Sequence, residues 1–93
     1  MVIGTVFITM HAPWVHSLKE KRMVVKSIIA KVHNQFNVSV IEAEAQDTHQ
    51  IIVLGIACAA GNTALADSTI DHVIAFIEKN TEAEITQIQR EIR

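Results

Sequence analysis

Ninety-three residues, 49% hydrophobic and 19% charged with a net charge of -2, describe one domain, residues 1–93, with no room for a second. The aliphatic content excludes a disordered chain, and a single cysteine, Cys58, excludes a disulfide framework. A chain of this size buries about two-thirds of its unfolded surface, enough for one core but not for a deep catalytic cavity sealed inside a single copy.

The opening run, Val2 to Met10, is rich in β-branched residues and stops before Pro13, whose ring removes a backbone donor. It reads as the first strand. Ser17 followed three residues later by Glu20 is a capping box, and a helix follows it. Leu18, Val25, Ile28, Ile29, Val32 and Phe36 recur at helical spacing, with Lys19, Arg22, Lys26 and His33 along the opposite face. Asn37–Ala45 and Ile51–Ala60 read as a hairpin joined by the polar turn 46–50. Gly61-Asn62-Thr63 breaks the pattern before Leu65, Ala66, Ile70, Val73, Ile74 and Ile77 give a second helix ending at Asn80. In the last segment Ile85, Ile88 and Ile92 suit helical spacing at least as well as alternation. Topology decides it: β-α-β-β-α leaves a sheet edge that a strand from residues 82–92 completes. The expected fold is α+β, a ferredoxin-like βαββαβ sandwich with a four-stranded antiparallel sheet in the order 4-1-3-2 and two helices on one face.

That topology gathers the end of the first strand, the start of the first helix, the hairpin turn and the end of the second helix at one edge. Most of the potentially reactive side chains converge there. The charge is also divided. Residues 1–41 hold five cations against Glu20 alone, a balance of +4, and residues 42–93 hold nine acids against Lys79, Arg90 and Arg93, a balance of -6. Val2–Met10 has no basic lead-in and is not read as an export signal, and the longest apolar run, Ile51–Ala60, falls far short of the roughly 18 residues of a membrane span. With a lone cysteine, the expected location is cytoplasmic.

Residues 17–22 (SLKEKR), 36–42 (FNVSVIE), Gln46-Asp47 and Leu54-Gly55, in this order and spacing, resemble the bacterial YlxP-like family of unknown function. The resemblance covers essentially the whole chain. It implies a ferredoxin-like fold, a cytoplasmic bacterial protein, and genes that often lie beside those of translation initiation factor two and ribosome-binding factor A. His49, Gln50 and Ile51 stand where the family usually carries an aromatic residue and then Gln-Arg, so a stacking ring and a cation are missing from this turn.

The first functional expectation is therefore a non-enzymatic binding module that meets a ribosomal or RNA-containing partner. Its contact residues are Trp14, Lys19, Lys21, Arg22, Lys26, Gln46, Asp47 and His49, with the cations tracking phosphates and Trp14 either a contact anchor or a cover for the core. A structural role competes for part of the patch, because Glu42 and Glu44 share strand parity with Val38 and Val40 and would pair with Lys21 or Arg22. Four aromatic rings and no tyrosine make a base-stacking sheet face an unsuitable reading.

The second expectation is a homo-oligomer, a dimer favoured, built on the open sheet face through Phe7, Ile41 and Val53. An enzyme or a metal-dependent small-molecule binder is the least favoured class. His11, His16 and His49 match no recognised metal spacing, Asp47 and His49 two residues apart form no triad, and Ser17 already caps a helix. No cofactor, metal or catalytic residue is assigned. Cys58 shares strand parity with Leu54 and Ile56 and reads as a buried hydrophobe.

Overall fold

The computed structural model describes residues 1–93 as β1 (Val2–His11), α1 (Leu18–Gln35), β2 (Ser39–Glu44), β3 (Ile51–Ala60), α2 (Thr63–Asn80) and β4 (Glu84–Ile92). The strands form one antiparallel sheet in the order β2-β3-β1-β4. Both helices lie on one face, as the ferredoxin-like topology requires. The final segment is a strand despite its ambiguous isoleucine spacing, because β1 pairs with it from Gly4↔Ile92 to His11↔Glu84 and supplies the backbone partners it needs.

Alternation along the central strands separates core from open face. Val6, Ile8 and Met10 of β1, with Ile52, Leu54, Ile56 and Cys58 of β3, point toward the helices and are buried. Val25, Ile28 and Val32 of α1 and Ala66, Ile70, Val73 and Ile77 of α2 close over them. The helices begin on side-chain caps: Ser17 Oγ accepts from Glu20 N at 3.1 Å, and Asn62 Oδ1 accepts from Leu65 N at 2.9 Å. At the end of α1, Phe36 meets Phe76 of α2 edge to face, their ring centroids 5.5 Å apart.

Two features show how closely α2 is held to the sheet. Gly4 sits where a Cβ would lie 2.9 Å from Ile70 Cδ1, 3.1 Å from Cys58 Sγ and 3.2 Å from Ala66 Cβ. Gly4→Val is therefore expected to lower stability by about 1–3 kcal/mol through overpacking. Urea unfolding at constant m-value checks this, and an unchanged midpoint would contradict the close approach. On the outer side, Arg90 of β4 donates to Asp71 Oδ1 at 2.5 Å and to Asp67 Oδ1 at 3.2 Å. The hydrogen bond to Asp71 raises the guanidinium above its ordinary value, against some desolvation and with help from Asp67, so the clamp stays charged.

Candidate functional site: the helix-start edge

The expected convergence of loops occurs, and hydrogen bonds hold it. Ala12 N donates to Gln50 O at 2.9 Å, while Gln50 Nε2 donates to Pro13 O at 3.1 Å and Val15 O at 3.2 Å. Gln50 thus ties the loop after β1 to the turn before β3. Its role was not apparent from the sequence, where it is one polar residue among several in a turn.

Lys21 makes the main correction. Expected to contact a partner, it is 1% exposed. Its side chain runs inward beside Val25, Ile28 and Val32, and its ammonium donates to Ala45 O and, at 2.8 Å, to Thr48 O. Glu42 Oε2 lies 2.9 Å from the same nitrogen. That contact is close enough for an ion pair but outside hydrogen-bond angles, so the buried Oε2 has charge compensation without a directional donor. The competing structural pairing of Lys21 with Glu42 is present. Glu44 departs from its expected position, because the register shifts between Glu42 and Glu44 and sets Glu44 opposite Val53, exposed and away from Lys21.

Lys21 also shapes the turn. Ala45 is the only non-glycine residue at positive φ, 59°, a left-handed conformation that costs an L-residue roughly 1–2 kcal/mol. Its carbonyl accepts from both Thr48 N and Lys21 Nζ. The buried ammonium therefore holds the carbonyl where the turn needs it.

The remaining cations face outward. Lys19, Arg22 and Lys26 are exposed and take part in no ion pair. At about 100° per residue they fall within an arc of roughly 60° on α1, with His33 continuing the stripe. Trp14 is 38% exposed, so most of its ring is covered while one part reaches solvent, and Ala12 and Val15 beside it are buried. It borders a cleft of about 320 Å³ with Met23, Ser27, Asn80 and Glu82. Met23, 65% exposed, was missed in the sequence; its place one residue beyond Arg22 on the helix was the available signal. Asp47 and His49 are exposed on the turn, and Gln46 Nε2 donates to Glu42 O at 3.2 Å. No group of three or more His, Cys, Asp or Glu residues gathers to hold a metal ion.

On the opposite side of the sheet, Phe7 and Ile41 are 43% and 61% exposed and flank Gly55. They border a shallow depression of about 290 Å³ that also includes Thr5, Ser39, Ala57 and Arg93. Val53, expected on this face, is buried at 7% exposure because Thr9 of β1 and Glu44 of β2 flank it on the central strand. It contributes little free surface. No helix is long and apolar enough to cross a membrane.

Sheet order, connectivity and the one-sided helix layer define a ferredoxin-like α+β sandwich. The solution NMR structure of a de novo designed protein with a ferredoxin fold matches it with a TM-score of 0.57 at 19% identity, covering all of this chain and 85% of the other. That likeness concerns the fold alone. Residues 3–90 match the family described as protein of unknown function DUF503, and the chain belongs to that family. Uncharacterized protein YlxP of Bacillus subtilis (strain 168) is 43% identical over 70 residues, which span 75% of this chain and 76% of the relative.

Proposed function

We propose that this protein is a cytoplasmic, non-catalytic binding module that docks a ribosomal or RNA-containing partner on the exposed basic face of α1. The observation carrying this reading is the stripe of Lys19, Arg22 and Lys26, all solvent-facing and unpaired. Trp14 lies on the adjoining loop as an apolar contact, and Gln46, Asp47 and His49 form the polar rim. The gene neighbourhood implied by the family resemblance supports the same class of partner. With one aromatic ring on the open sheet face, the contact is with phosphates rather than stacked bases. Co-sedimentation with bacterial ribosomal particles at low salt tests it: wild-type protein is expected in the pellet, and its absence there would overturn the reading.

The exposed Phe7 and Ile41 beside the Gly55 depression favour a second reading, self-association through the open sheet face, with a dimer as the favoured form. Phe7→Asp is expected to yield a monomer by light scattering with the fold intact, whereas raising salt leaves the assembly in place. A wild-type protein that is monomeric at high micromolar concentration would contradict it.

A further inference from the structure

The first strand of the hairpin has one partner. β2 pairs only with β3, so the outer edge of Ser39–Glu42 presents unpaired backbone donors and acceptors up to the irregularity at Glu42/Glu44. Beside this strand runs α1, and between them lies a groove of about 390 Å³ lined by Arg22, Val25, Lys26, Ile29 and Glu42. Val25 is buried and Ile29 half-buried, which makes an apolar floor. Arg22 and Lys26 stand on its helix side without an acidic partner. Glu42, the groove's one acid, is already compensated by Lys21. The groove therefore carries uncompensated positive charge.

We propose that this groove takes an extended acidic peptide segment as a fifth strand on β2. Backbone pairing with the free edge gives the segment its direction and register. One of its acidic side chains meets Arg22 and Lys26, and an apolar side chain two residues away rests on Val25 and Ile29. Same-face strand residues recur about 6.6–6.8 Å apart, and the centres of the Arg22/Lys26 and Val25/Ile29 pairs lie about 4.5 Å apart along α1, a step that two successive same-face side chains can span. Nucleic acid fits this groove less well, because its phosphates could meet Arg22 and Lys26 but it carries no backbone amides and carbonyls in peptide spacing to pair with the edge strand. The other sheet edge, β4, bears Glu84 and Glu91 and has Arg90 clamped to α2, and the only depression bordering it lies toward β1.

This site shares Arg22 and Lys26 with the phosphate-contact reading but differs from it in two respects: phosphate contact also needs Lys19, and only the peptide site needs the β2 edge and Ile29. The probe is a random octapeptide phage library selected on the intact 93-residue protein. Selected peptides are expected to share Asp or Glu two residues from Val, Ile or Leu. A synthetic selected peptide should bind roughly tenfold or more weakly to Arg22→Glu/Lys26→Glu, an exposed pair outside the buried core, and to Ile29→Glu. Lys19→Glu should bind it unchanged. N-methylation of the peptide should abolish binding at alternate positions only. Overturning results are an unenriched selection, enrichment without the acidic–apolar spacing, indifference to N-methylation, or single-stranded RNA occupying the groove through an Ile29-dependent contact.

Discussion

Lys21→Met is expected to destabilise the protein by about 3–5 kcal/mol, the loss associated with removing one partner of a buried ion pair. Two consequences combine. Glu42, 20% exposed and lacking a directional donor on Oε2, is left without its compensating cation. Thr48 O loses its ammonium donor, and Ala45 O keeps only Thr48 N. The double variant Lys21→Met/Glu42→Leu removes the stranded charge but not the unmet turn carbonyl, so its stability is expected to lie between the wild type and the single variant. Urea denaturation followed by circular dichroism checks both, and a single variant as stable as the wild type would show that the ion pair is dispensable.

The second large effect concerns binding. If Lys19, Arg22 and Lys26 each neutralise one phosphate, the logarithm of the association constant should fall with the logarithm of salt at a slope of about -2 to -3. Between 50 and 200 mM salt that slope amounts to a loss of roughly 16–64-fold. Lys19→Glu/Arg22→Glu/Lys26→Glu should abolish this salt dependence along with most of the affinity, while stability stays close to wild type, because all three side chains are exposed and unpaired. Fluorescence anisotropy with a labelled single-stranded RNA measures it. A salt-independent wild type would remove phosphate contact as the source of binding.

These predictions divide residues that the sequence presents as one basic run. Ser17, Glu20 and the apolar repeat made α1 legible, because capping and helical periodicity are local properties. β4 was legible only through topology: its isoleucines leave the period undecided, and the open edge of β1 decides it. The inward course of Lys21 had a signal, since Lys21, Val25, Ile28 and Val32 lie four, three and four residues apart on one helix face. A charged residue at such a position is assigned to solvent unless its buried partner is known, and here the partners are two turn carbonyls and Glu42 on another element. Glu42 was placed by strand parity. Glu44 was not, because a register shift reverses parity and leaves no clear mark in a short polar strand. Val53 shows the same limit on the sheet: alternation gives the face a residue points to, not how far neighbouring strands cover it.

The cations of α1 point in two directions, Lys21 inward to hold the hairpin turn and Lys19, Arg22 and Lys26 outward, and we propose that the outward three meet phosphate. The most direct measurement is RNA affinity at 50 and 200 mM salt for the wild type, Lys21→Met and the triple glutamate variant, each first shown to be folded at the working temperature. The predicted result is wild-type affinity and salt slope for Lys21→Met, with both lost in the triple variant. Affinity lost on Lys21→Met but retained in the triple variant would contradict the division.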